Sequence, residues 1–141
     1  MLILLRRTAM HIGELLVIRK RPTPIMPAVL SVRSAVARLV ELDHKAAMVI
    51  RADGTFSGVV CEASLIAAIS QHRRTAFDQA IGEVALDRHV AYCSVHDTLN
   101  NALRRLSEQG RSFLVVTRRM RPIDLVFRDE LTEWWERRCG A

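Results

Sequence analysis

Aromatic residues are scarce in this chain, at 5% of its 141 residues, while 50% are apolar. Its core must therefore be aliphatic, built from Val, Leu, Ile, Ala and Met. Three cysteines, Cys61, Cys93 and Cys139, form no CxxC pair and are odd in number. That excludes a disulfide framework and predicts reduced thiols in a cytoplasmic protein. Six glycines are too few for a phosphate-cradling loop, and no nucleophile elbow, phosphate loop or dinucleotide fingerprint occurs. The five histidines (His11, His44, His72, His89, His96) show no ligand spacing and read as surface residues, so no metal site is expected. Long apolar runs are missing too. Met1 to Leu5 is far too short to span a bilayer, and it precedes Arg6 and Arg7, the reverse of a signal peptide's order. No membrane association and no catalytic arrangement follow from these residues, so the chain is not read as an enzyme. Paired carboxylates such as Asp129-Glu130 open a helix and suit its dipole.

What is present is positive charge. The formal net charge is +6 and the pI about 10.2, which favours anionic partners. Arg19-Lys20-Arg21 is the densest run, closed by Pro22 and Pro24. With no aromatic residue interleaved it reads as a solvated run, and stacking on bases is not indicated.

The chain also repeats itself. The apolar run Ala46 to Ile50 has a counterpart in Ser112 to Val116, 66 residues on. At that offset Ser57–Cys61 falls on Ile123–Phe127, Leu65 on Leu131, Ser31 on Asp97 and Val29 on Val95. Each copy reads strand, helix, strand, strand, helix. Helices are expected at 32–43 and 98–109, capped by Ser31 and Asp97, the second closed by Gly110. Strands are expected at 46–50, 57–61, 112–117 and 123–127, with an Asp53-Gly54 turn in the first hairpin. Helices at 62–71 and 128–138 follow, and 71–80 is the connector. A shorter echo, Ile12-Gly13-Glu14-Leu15 against Ile81-Gly82-Glu83-Val84, precedes each copy at an offset of 69.

This order of lead-in, capped helix, hairpin and Gly-containing motif resembles a tandem pair of cystathionine-β-synthase-type (CBS) domains. The resemblance runs over about residues 10 to 136 and is closest to small stand-alone bacterial pairs. It implies an α/β (α+β) fold of two β-α-β-β-α repeats packed with pseudo-two-fold symmetry, the first over 10–73 and the second over 78–137. It also suggests Met10 as the true start, residues 1–9 being a disordered or misannotated extension. Such modules are regulatory, need no cofactor, and in some members sense an adenosine-containing nucleotide. AMP, ADP, ATP, NADH and S-adenosylmethionine are the candidate ligands here.

The family motif is Gly, two apolar residues, Thr or Ser, two variable residues, Asp and an apolar residue. Its Asp accepts hydrogen bonds from ribose hydroxyls, and its hydroxyl binds phosphate or ribose. The copies here are Gly58-Val59-Val60-Cys61-Glu62-Ala63-Ser64-Leu65 and Asp124-Leu125-Val126-Phe127-Arg128-Asp129-Glu130-Leu131. Both depart from it: Cys61 and Phe127 replace the hydroxyl, Ser64 and Glu130 the aspartate, and Asp124 the second glycine. The implied cleft residues are Val29, Val59, Val60, Cys61, Ser64, Val95, Phe127 and Glu130. Losing a charged hydrogen bond costs about 1.5–3 kcal/mol, so weak nucleotide sensing is expected, and the first copy is favoured because it keeps Gly58 and a polar Ser64. Cys61 and Cys93 are expected as small buried thiols near strand ends. Family pairs dimerise through their helices, which implies a homodimer with Leu131, Trp134 and Trp135 at its interface. The other expectations are a protein-interaction module that pairs with an intact CBS relative, and a basic nucleic-acid (RNA) binder.

Overall fold

The computed structural model describes residues 10–138. Residues 1–9 and Cys139 lie outside the described residues, and so does the expectation of an N-terminal extension. The chain divides into two compact units. One is continuous, Thr23–Val90; the other joins the described residues up to Pro22 with those from Ala91 onward.

The continuous unit holds β1 (Ile25–Pro27), α2 (Val32–Leu42), β2 (Ala46–Ile50), β3 (Phe56–Cys61), α3 (Glu62–His72), a 3-10 turn (Arg73–Asp78) and α4 (Ile81–Val84). The discontinuous unit holds α1 (Ile12–Ile18), β4 (Tyr92–Ser94), α5 (Leu99–Gln109), β5 (Phe113–Arg118), β6 (Arg121–Phe127) and α6 (Arg128–Arg138). Each has a three-stranded sheet, β1-β2-β3 or β4-β5-β6. In both, the first pair is parallel and the second antiparallel. The two aliphatic cores follow from alternation on the strands and the 3.6-residue period on the helices. Val32, Ala35 and Leu39 pack with Ala47, Val49, Val60 and Leu65 in one. Leu99, Ala102 and Leu106 pack with Leu114, Val116, Val126 and Leu131 in the other.

The units are therefore not the two sequence repeats. Each lead-in packs on the other copy's strands. Gly13 N donates to Val95 O at 2.9 Å, and Gly82 N to Ala28 O at 2.9 Å. A Cβ on Gly82 would lie 2.8 Å from the Ala28 Cβ, which is why this position needs a glycine. The connector is also more ordered than expected of a linker, since it contains the 3-10 turn Arg73–Asp78.

The gap-free 66-residue register needs correction. Before each hairpin the offset is 67. Ser31 caps α2 by accepting from Ser34 N, and Thr98 caps α5 by accepting from Asn101 N. Asp43 and Gly110 close those helices in the left-handed conformation. After the hairpins the offset is 66, with Cys61 opposite Ala46 and Phe127 opposite Phe113. The missing residue is absorbed in the second hairpin. The true counterpart of Val95 is thus Ala28, and the cap is Thr98 in place of Asp97. Asp97 instead accepts Ser94 N at 2.8 Å.

Candidate functional site

In both units the segment that follows the lead-in helix runs past the motif strand. In the continuous unit this segment is 85–90, after α4. Asp87 N donates to Val59 O at 2.7 Å, and Leu86 packs on Gly58. A Cβ at Gly58 would lie 3.2 Å from the Leu86 Cδ1, so the motif glycine makes room for this crossing. The same crossing delivers a carboxylate. Asp87 Oδ2 lies 3.7 Å from the Cys61 thiol, which donates to it, and Oδ1 accepts His89 N at 2.9 Å. Ser64 is half-buried and already engaged. Its Oγ accepts Cys61 N at 2.9 Å and donates to Cys61 O at 3.0 Å, which secures the first turn of α3. One hydroxyl lone pair remains.

In the discontinuous unit the crossing residue is Arg19, after α1. Its side chain is 6% exposed and its guanidinium is shared three ways. Nη1 donates to Asp124 Oδ1 at 2.9 Å, while Nη2 donates to Leu125 O at 2.8 Å and to Glu130 Oε1. Glu130 Oε1 also accepts Phe127 N at 3.0 Å. Asp124 occupies the motif-glycine position because its neighbour here is a cation, where Gly58 meets a leucine. The second-copy carboxylates are thus consumed internally.

The remaining expected cleft residues scatter. Val59 and Val60 are fully buried on opposite sides of β3, with Val60 in the core. Val95 is buried, whereas Val29 is 79% exposed in the turn before α2. Phe127 is half-buried with its ring centroid 6.4 Å from that of Phe113. Leu131 is 0% exposed inside the core, so its side chain has no surface to present to a second copy and its expected interface role gives way to a packing one. Trp134 and Trp135 are half-buried against the same core, and Arg137 lies over the Trp134 ring at 5.1 Å. Both described cysteines are buried, as expected. Burial, with help from Asp97, pushes the Cys93 thiol up to about 12, so it is protonated at neutral pH. Sequence reasoning missed Asp87 and misjudged Arg19. Their signal was the lead-in echo, which places each residue just after a helix that docks on the other copy's strands.

No family model and no curated protein sequence matches the chain. Solved structures do match. A CBS-domain-containing protein from Agrobacterium tumefaciens is 19% identical, with a TM-score of 0.76 over 89% of this chain and 92% of that one. The CBS-domain pair of MJ0100, solved with methylthioadenosine and S-adenosyl-L-methionine, is 14% identical, with a TM-score of 0.71 over 91% and 97%. CBSX2, solved with AMP, is 20% identical, with a TM-score of 0.71 over the same shares. The chain has the fold of a tandem CBS-domain pair. Within this fold the two motif regions are chemically unequal, one holding Cys61, Ser64 and Asp87, the other an Arg19 clamp. Among the described residues no cluster of His, Cys, Asp and Glu could hold a metal ion, and no helix is long and apolar enough to cross a membrane.

Proposed function

We propose that the chain is a non-catalytic regulatory module of the CBS type that senses an adenosine-containing nucleotide weakly, through the first-copy motif. The observation that carries this reading is the asymmetry just described. In the second copy Arg19 takes up Glu130 and Asp124, the groups a ribose or phosphate would meet. In the first copy Ser64 keeps acceptor capacity, and Asp87 brings a carboxylate to the Cys61 thiol in place of the family's aspartate. A carboxylate accepts two hydroxyl donors at once, the chemistry that a ribose needs. Similarity to pairs solved with AMP and with S-adenosyl-L-methionine supports this ligand class.

A thermal-shift series with AMP, ADP, ATP, NADH and S-adenosylmethionine at millimolar concentration tests it. A ligand at about one hundred times its Kd adds about 2.7 kcal/mol, a shift of several degrees. The expected result is a shift with at least one ligand, abolished in Ser64→Trp and reached only at about tenfold higher concentration in Asp87→Asn. A flat response from the whole set would sink nucleotide sensing and leave protein interaction as the module's role.

A further inference from the structure

A groove in the discontinuous unit takes no part in the nucleotide reading. It encloses about 510 Å³ beside the edge strand β4, toward the β5–β6 turn and away from the α6 end of the sheet. Tyr92, Met120 and Pro122 give it an apolar wall. Tyr92 is 46% exposed and Met120 91%. Met120 also adopts the left-handed conformation (φ 67°), a costly one for a residue with a Cβ, so an exposed methionine is kept at the groove against its local preference.

Asp97 and Arg105 form the charged part of the groove, an ion pair at 3.4 Å with 28% and 39% of the side chains exposed. Both are fixed by the free edge of β4. Arg105 Nη1 donates to Tyr92 O at 2.6 Å, and Asp97 Oδ2 accepts Ser94 N at 2.8 Å. These bonds use one terminal atom of each side chain. Among the described residues Nη2 and Nε of Arg105 and Oδ1 of Asp97 have no partner. A rigidly held pair thus presents an unspent donor edge beside an unspent acceptor oxygen. Ser94 Oγ accepts His96 N and still has its own proton to donate.

We propose that this groove binds a free amino acid with an apolar side chain. The α-carboxylate takes the open edge of Arg105, the α-ammonium takes Asp97 Oδ1, and the side chain lies against Tyr92, Met120 and Pro122. A carboxylate–guanidinium pair is neutral overall, so it favours neither a simple anion nor a simple cation. It complements a ligand that carries both charges as neighbours, and in an amino acid the two charged groups share one carbon. Charge-assisted hydrogen bonds then form at both ends. The apolar wall, now in water, is covered by the ligand's side chain. The volume lies within the range of about 300–1,000 Å³ found for small-ligand sites. This site uses none of the motif residues, and it stands whether or not the first-copy motif binds a nucleotide.

Thermal unfolding of the full chain with L-leucine, L-methionine and L-phenylalanine at millimolar concentration tests the proposal. A ligand at about ten times its Kd should raise the unfolding temperature by about 4 °C. At least one of the three should do so. L-Leucinamide lacks the anion and N-acetyl-L-leucine lacks the cation, and neither should shift the wild type. Asp97→Asn keeps an acceptor for Ser94 N while removing the charge, and it should abolish the response, as should Arg105→Gln. Arg104→Gln changes an exposed arginine of α5 outside the groove and should respond like the wild type. If either groove variant fails to fold, the two leucine derivatives still decide the matter on the unaltered protein. The proposal is overturned by a flat response to all three amino acids or by an equal shift with leucinamide or N-acetyl-leucine. An undiminished response in Asp97→Asn, or its loss in Arg104→Gln, overturns it as well.

Discussion

Arg19 illustrates how a residue's role depends on where its backbone leads. In the sequence it belongs to a basic run and reads as solvated. In the fold it is nearly buried, with two carboxylates and a carbonyl on one guanidinium. Asp124 and Glu130 keep about a quarter of their side-chain surface, so its removal leaves carboxylates only partly hydrated. Arg19→Ala should therefore cost about 2–3 kcal/mol, read as a lower urea midpoint. Arg19→Lys should recover only part of this, because an ammonium cannot span three acceptors in one plane. An alanine variant as stable as the wild type would reject the clamp. Asp87 was missed for the same reason: the lead-in echo marks its position, but nothing near it in sequence announces Cys61 as its neighbour. The motif substitutions themselves, Cys61, Ser64, Phe127 and Glu130, were legible because they sit inside one local pattern.

At the scale of elements, most of the architecture was legible. Helices α2, α3, α5 and α6 appear close to where apolar spacing puts them, α2 with its expected cap Ser31 and α5 with its cap one residue later than expected, since spacing and capping are local signals. The register was not, because the single-residue difference between copies falls inside the hairpins, where side-chain pattern carries least information. The first hairpin turns over Arg51 to Thr55 with Gly54 at φ 86°, supported by Asp53 Oδ1 accepting Thr55 N at 3.0 Å. The second makes a tighter turn without glycine. Met120→Gly should accordingly stabilise the protein by about 1 kcal/mol, by removing a Cβ from a left-handed site. Chemical denaturation checks it; a destabilised variant would mean that the methionine side chain contributes more than the backbone costs. Asp97 and Thr98 show the limit of cap reading, since adjacent residues can both cap. Here the threonine takes the helix, and the aspartate turns back to Ser94 N and Arg105.

For the whole molecule, the prediction is self-association through the helical surfaces. Leu131 takes no part, while Trp134 and Trp135 each keep some surface on α6. Sedimentation velocity should find a dimer in the wild type and a weakened one in Trp134→Ala or Trp135→Ala; two unchanged dimers would reject that assignment. The repeat was visible in the sequence, but the exchange of lead-ins was not, because an echo in sequence does not say which copy it docks on. That exchange has a consequence in time. Residues 23–90 carry everything their own core requires and can fold as soon as they leave the ribosome. Helix α1, made earlier, needs partners that are made later: Ile12 bonds to Asp97 and Gly13 to Val95. At about 5–20 residues per second, Ile12 and Leu15 wait on the order of 4–20 seconds with their apolar faces uncovered. A nascent chain of this protein thus carries a finished domain and an unmatched sticky helix at once, and that interval is when a chaperone would find it.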